Sequence, residues 1–291
     1  MDYTPDFTVE NHGFYGKLFK PAEDRFPGKA LILYSGSDGR FALPCLVAKL
    51  FADHGLTVLA GAFWNVPGLP DTLNRIPLET AERAAQWLRN SGYEKIGLWG
   101  ISMGAEFVLL AGIHMPELIT CVVAASPICL SSQGLGHKMQ IVPHSVFTWR
   151  SEELPYMPFM MSRLTKKMVF DYWRRSGDFG VRFCYDPLVA APQESCILPV
   201  ERLGGPVLFI SGGMDSMWPA DESARILMRR LDEKGFAHEH RHLSYEHGSH
   251  YMVPLHLYSE KVFRAERLYK QDSERYKQDQ LRETLAFLSR W

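Results

Sequence analysis

Residues 95–114 read KIGLWGISMGAEFVLLAGIH. Lys95–Trp99 is a short apolar run of buried-strand length, and Ala105–His114 is a helical run. Between them stands Gly100-Ile101-Ser102-Met103-Gly104. A chain that turns from strand to helix in so few residues has no room for Cβ atoms two positions either side of the turn's centre. The central residue is forced into strained backbone angles. Its hydroxyl then stands above the sheet edge, with a helix N-terminus behind it to favour developing negative charge. Gly-x-Ser-x-Gly also arises by chance; its position between a strand and a helix makes Ser102 a candidate nucleophile.

Outward from this turn the chain alternates strand and helix. Ala30–Tyr34 is an apolar run that ends in the glycine-rich turn Ser35-Gly36-Ser37-Asp38-Gly39. Leu43–His54 has helical spacing and stops at Gly55. Leu56–Ala60 is a strand, Glu79–Asn90 an amphipathic helix stopped by Gly92, and Ile119–Ala124 a further strand. Continuous apolar strands alternating with helices predict a mostly parallel sheet covered on both faces. From Ser131 to about Leu203 the rhythm breaks into Pro, Met and aromatic residues with no clear strands. It resumes with a strand over Pro206–Ser211, a helix over Asp221–Lys234, a strand near Glu239–Tyr245 and a last helix over Asp272–Arg290. A long insertion between strands reads as a cap. Its aromatics, Phe147, Trp149, Tyr156, Phe159, Phe170, Tyr172 and Trp173 among them, favour an ordered one. The whole chain, 1–291, reads as one domain with a helical cap insertion at about 131–203.

A serine needs a base, and the base needs an orienting acid. In folds of this type the order along the chain is Ser, then Asp or Glu, then His. Asp215 lies in Ser211-Gly212-Gly213-Met214-Asp215, just past a predicted strand, where sites form in open α/β sheets. A turn aspartate capping the next helix is the plainer account of it. Histidines crowd the next strand and its loop: His238, His240, His242, His247 and His250. The first three alternate, so they share one strand face. No carboxylate or cysteine completes a recognisable metal spacing with them. His247 and His250 both fit the base by position; His250 is preferred because Gly248-Ser249 gives it a flexible approach to the sheet edge. The oxyanion hole needs two backbone N–H groups. Met103, after the nucleophile, supplies one, and Ser37, with Gly36 as its neighbour, the other. The chemistry requires no metal or organic cofactor.

Composition narrows the classes. With 32 Lys+Arg against 33 Asp+Glu, the chain has no overall positive field for nucleic acid or an anionic membrane. No apolar run is long enough to span a bilayer, and the N-terminus lacks a secretory pattern. Five spaced cysteines without a CxxC predict free thiols and a reducing, cytoplasmic setting. The cap's apolar residues suit an acyl group. Its basic residues, Arg163, Lys166, Lys167, Arg174 and Arg175, could meet phosphates of a nucleotide-bearing substrate, but read more simply as a solvated helix face.

These residues together resemble a family. The stretch from about Gly28 to Pro254 is similar to the C-terminal catalytic domain of the α/β-hydrolase group that holds acyl-CoA thioester hydrolases and bile acid-CoA:amino acid N-acyltransferases. The resemblance is carried by Gly100–Gly104, by LPVERLGGPVLFISGGMDSMWP (198–219) and by LSYEHGSHYMVP (243–254). It puts Asp215 at the acid position and favours His250 over His247 as the base. Family members carry serine or cysteine as nucleophile, and serine at 102 resembles the thioesterase branch. Two departures stand out. The animal enzymes carry an N-terminal immunoglobulin-like domain, and only about 27 residues precede the matched region here. Ser37-Asp38-Gly39-Arg40 stands where several members are nearly all glycine and apolar.

The resemblance implies an α/β-hydrolase fold and hydrolysis of an acyl-CoA thioester through an acyl-enzyme on Ser102. The small-molecule partner is then an acyl thioester or ester; nucleic acid and membrane are not expected partners, and exposed cap aromatics leave a homodimer open. A carboxylesterase or dienelactone-hydrolase-like enzyme shares the fold and the triad order. A non-catalytic binding protein on the same fold is the alternative of another class.

Overall fold

The structure is a computed structural model and describes residues 3–256 and 261–291. After a short helix α1 (Val9–His12), the central sheet is built from β1 (Tyr15–Phe19), β2 (Lys29–Tyr34), β3 (Thr57–Ala62), β5 (Lys95–Ile101), β6 (Cys121–Ala125), β11 (Val207–Gly212) and β12 (His240–Tyr245). Their order across the sheet is β1-β3-β2-β5-β6-β11-β12. All neighbours run parallel except β1, which pairs antiparallel with β3 at one edge. β1 was not foreseen in the sequence reading.

The parallel strands read as continuous apolar runs because both faces are covered. In β2, Ala30, Ile32 and Tyr34 belong to the core on the face covered by α3 (Glu79–Asn90) and α4 (Met103–His114), a core that α7 (Ala220–Glu233) continues over β11 and β12. Leu31 and Leu33 pack with α2 (Ala42–Asp53) and the end of α9 (Lys270–Arg290) on the other. α4 shows no polar stripe. It is buried from Met103 through Ile113, so an apolar face all round is what its place requires.

The segment between β6 and β11 contains the expected helices, α5 (Lys166–Ser176) and α6 (Arg182–Ala190). It also contains strands, contrary to the sequence reading: β7 (Gln133–Leu135) with β8 (Ile141–Ser145), and β9 (Phe147–Trp149) with β10 (Glu152–Glu153). β9 also pairs with β4 (Ile76–Pro77), which ties the segment to the chain ahead of α3. These strands are two to five residues long, too short to print a period of two on the sequence. A short helix α8 (Arg264–Leu268) precedes α9. Among the described residues no helix is long and apolar enough to cross a membrane.

Candidate active site

Four connections at the carboxyl ends of parallel strands bring the candidate residues to one edge of the sheet, where open α/β folds form their sites. Ser102 links β5 to α4 with φ 59° and ψ −126°, a conformation disfavoured for any residue with a Cβ. The glycines around it are required by contact. A Cβ on Gly100 would lie 2.1 Å from the Gly104 carbonyl oxygen, and one on Gly104 would lie 2.1 Å from that of Ser35. The second contact also seats the turn after β2 against the elbow. Trp64 Nε1 holds that turn by donating to the Gly36 carbonyl at 3.2 Å.

Asp215 follows β11 and is 2% exposed; His250 follows β12 and is 6% exposed. His250 Nδ1 lies 2.7 Å from Asp215 Oδ2. The carboxylate's other oxygen accepts from the N–H groups of Met217 and Trp218 at 2.8 and 3.2 Å. With Nδ1 donating to the aspartate, the neutral ring presents Nε2 as an acceptor. The two loops are joined through the backbone, Gly213 N–H to Tyr245 O and Met214 N–H to Gly248 O, each at 2.9 Å. Asp215 is therefore more than a turn aspartate.

The structure also separates the two candidate histidines. His247 Nδ1 is 2.6 Å from Asp272 Oδ2, and its ring stacks on Tyr269 at 3.7 Å between centroids. It faces α9. The strand histidines are engaged elsewhere: His240 with Asp232, and His242 with the Ser211 hydroxyl. β12 begins at His240, so His238 lies before the strand and not on it; its ring and that of His240 both meet Phe236.

Ser102, Met103 and Ser37 line a cavity of about 1030 Å³. The segment 131–203 supplies much of its wall, including Leu135, Phe159, Met161 and Tyr185. Ser102 Oγ has no hydrogen bond among the described residues, so the structure joins His250 to Asp215 but does not join Ser102 to His250. Such bonds often tighten only when substrate is bound. The Ser37 and Met103 N–H groups have no backbone acceptor among the described residues, as donors for an oxyanion must. Cys184 is a second potential nucleophile in the cavity wall, but burial pushes its thiol up to about 12 and keeps it from forming thiolate.

Three supporting residues escaped the sequence reading. Ser126, at the end of β6, donates from Oγ to the His250 carbonyl at 2.7 Å. Trp218 donates from Nε1 to the Ser126 carbonyl at 3.0 Å, and its ring meets that of His250 edge to face at 5.5 Å. Glu106, one turn beyond Ser102, is fully buried and accepts from the Ser132 N–H and Oγ at 2.7 and 2.6 Å. It thereby fastens the start of the segment 131–203 to α4.

Burial pushes the Glu106 carboxyl up to about 8, against the two Ser132 hydrogen bonds. The folded state therefore keeps a proton that the unfolded chain releases near pH 4.5, so the contribution of Glu106 to stability falls as pH rises from about 4.5 to 8. Between pH 6 and 8 the native chain is expected to lose on the order of 2 kcal/mol more stability than Glu106→Gln. Urea titrations of both proteins at the two pH values check this; parallel losses would contradict it.

Comparison with known proteins bears on the same residues. A family model described as BAAT / Acyl-CoA thioester hydrolase C terminal matches residues 76–262, which include the elbow, Asp215 and His250. The chain belongs to this family. It is 29% identical over 218 residues to acyl-coenzyme A thioesterase 6 of Mus musculus, covering 74% of this chain and 46% of that protein. It is 25% identical over 237 residues to the peroxisomal succinyl-coenzyme A thioesterase of the same species, covering 80% and 51%. The chain thus spans about half the length of the curated relatives it matches. Among solved structures it resembles a protein assigned as a dienelactone hydrolase from Klebsiella pneumoniae, with TM-score 0.57, 13% identity and coverage of 99% and 98%. It also resembles the Pyrococcus horikoshii acylaminoacyl peptidase, with TM-score 0.55, 14% identity and coverage of 100% and 42%. At these identities the likeness is one of fold, the α/β-hydrolase fold.

Proposed function

We propose that this family member is a serine hydrolase that cleaves acyl thioesters of the acyl-CoA type. The observation that carries the reading is the 2.7 Å bond between His250 Nδ1 and Asp215 Oδ2 at the sheet edge that also holds the strained serine. The names of the relatives supply the substrate class.

In this reading Ser102 Oγ attacks the thioester carbonyl while His250 Nε2 takes its proton. Asp215 holds the ring in the required tautomer and stabilises the imidazolium. The N–H groups of Met103 and Ser37 bind the oxyanion. As the tetrahedral intermediate collapses, the C–S bond breaks, the thiol leaves with the proton from His250, and an acyl group remains on Ser102. Water, deprotonated by His250, then releases the acid and restores the serine. The segment 131–203 acts as a cap whose apolar wall takes the acyl chain. All five cysteines are buried and free, which fits a reducing compartment, and the cytoplasm is the one we assign. Phe170 and Trp173, both exposed on α5, are where a second copy would pack if the protein dimerises.

The test is thiol release from acyl-CoA esters of graded chain length, with p-nitrophenyl esters alongside and Ser102→Ala as blank. Serine-dependent thiol release is the expected result. Ester cleavage without thiol release would replace the reading with a carboxylesterase. Inertness on both, with Ser102 unreactive toward a fluorophosphonate, would replace it with a binding protein.

A further inference from the structure

The cavity over Ser102 has a lining of mixed character. Its wall carries aromatic and aliphatic side chains, among them Trp64, Phe159 and Trp218, the last packed edge to face on His250. The same cavity is also lined by three exposed cations, Lys138, Arg163 and Lys166. They come from segments that touch. Lys138 lies between β7 and β8 with φ 55°, and Gln140, two residues on, forms an isolated bridge with Arg163. Lys166 is the first residue of α5, whose N-cap Thr165 also lines the cavity, so this helix N-terminus opens on the same space.

Among the described residues no carboxylate lies within ion-pair distance of any of the three. Their immediate neighbours are paired: Lys167 with Asp171, and Arg182 with Asp186 and Glu222. The carboxylate in the cavity wall, Asp71, lies 3.8 Å from His137 Nε2. A chain with formal net charge −1 thus leaves three cations and a helix N-terminus unneutralised around one opening. Converging like charges repel one another unless an anion joins them, and a helix N-terminus favours the same occupant.

We propose that Lys138, Arg163, Lys166 and the N-terminus of α5 form an anion subsite that binds a phosphate of the thiol leaving group. The inference rests on the thioester reading above and adds the residues that select the carrier. The acyl chain takes the buried apolar wall. The leaving group must depart into water, so its charged part belongs at the exposed rim where the three cations stand. Of the basic residues considered from the sequence, Arg163 and Lys166 are included; Lys167 is bound to Asp171, and neither Arg174 nor Arg175 lines the cavity.

The experiment compares the full chain with Lys138→Gln/Arg163→Gln/Lys166→Gln on one acyl group carried by coenzyme A or by N-acetylcysteamine, which has no phosphate. Three exposed charge contacts, each worth a few-fold, should lower the preference for the coenzyme A thioester by about tenfold to a hundredfold. The change should appear in KM rather than kcat and weaken with added salt. Lys138→Arg/Arg163→Lys/Lys166→Arg should restore most of it. Free coenzyme A, titrated calorimetrically, should bind the native chain at least tenfold more tightly than the glutamine variant, a readout that needs no turnover. An unchanged carrier preference, or equal coenzyme A binding by both proteins, would overturn the proposal. So would a loss confined to acyl groups ending in a carboxylate, such as succinyl, on either carrier, because the anion would then belong to the acyl group. Coenzyme A binding that depends on the three cations, without hydrolysis of any thioester, would remove the thioester reading while the subsite stood.

Discussion

Ser102→Ala is expected to lower turnover of a thioester substrate by about 10⁶ while leaving the fold intact. Losses of that size follow removal of the nucleophile in serine hydrolases, because nucleophile, base and acid act as one unit. The substitution removes a single oxygen. Ser102 Oγ has no hydrogen bond among the described residues, so its loss orphans no buried partner. Alanine keeps the Cβ and therefore the strained backbone angles of the elbow, which are held by the contacts of Gly100 and Gly104. The unfolding midpoint should stay close to that of the native chain. The check is steady-state thiol release together with a denaturant titration. Turnover within tenfold of native would remove Ser102 from the mechanism.

The second large effect separates two histidines three residues apart. His250→Ala should cost turnover on the scale of Ser102→Ala, because it removes the partner of Asp215 that serves as proton acceptor in the proposed mechanism. His247→Ala should change turnover by less than about tenfold. It breaks the pair with Asp272 and the stack on Tyr269, contacts that secure the loop to α9, and such a stack is worth about 1 kcal/mol. Its effect should therefore fall mainly on stability. Rates for both variants, measured below both unfolding midpoints, decide the matter. A His247 variant more damaged in turnover than the His250 variant would move the base to His247.

These two residues also mark what a single sequence can and cannot carry. Strands and helices of the central sheet were legible because each leaves a local trace. Glu79–Asn90 shows amphipathic spacing closed by a glycine, and Val207–Gly212 is a continuous apolar run. The elbow was legible for the same reason, since a tight turn leaves its constraint on neighbouring glycines. The choice between His247 and His250 is not local. It depends on Asp272 and Asp215, 25 and 35 residues away along the chain. The family resemblance favoured His250, and the hydrogen bonds set His250 against Asp215 and His247 against Asp272.

Other features were hidden by length or by context. β1 is five residues long and interrupted by Gly16 and Lys17, and its pairing at the sheet edge is set by β3. The strands between residues 133 and 153 are too short to show alternation. Glu106 looked like one polar residue in an apolar helix; only packing shows that it is sealed from water and bound to Ser132. Ser126 and Trp218 carry no chemical signature of their own. Their role as supports of His250 exists only once β6, β11 and β12 are aligned.

The central claim is that thioester cleavage proceeds through an activated Ser102. The most direct test is to titrate the protein with a fluorophosphonate, measure the fraction of Ser102 labelled by peptide mass, and follow thiol release from an acyl-CoA ester at each point. The account predicts a rate that falls in proportion to labelling and reaches zero at one equivalent on Ser102. Thiol release that persists with Ser102 fully labelled would contradict it.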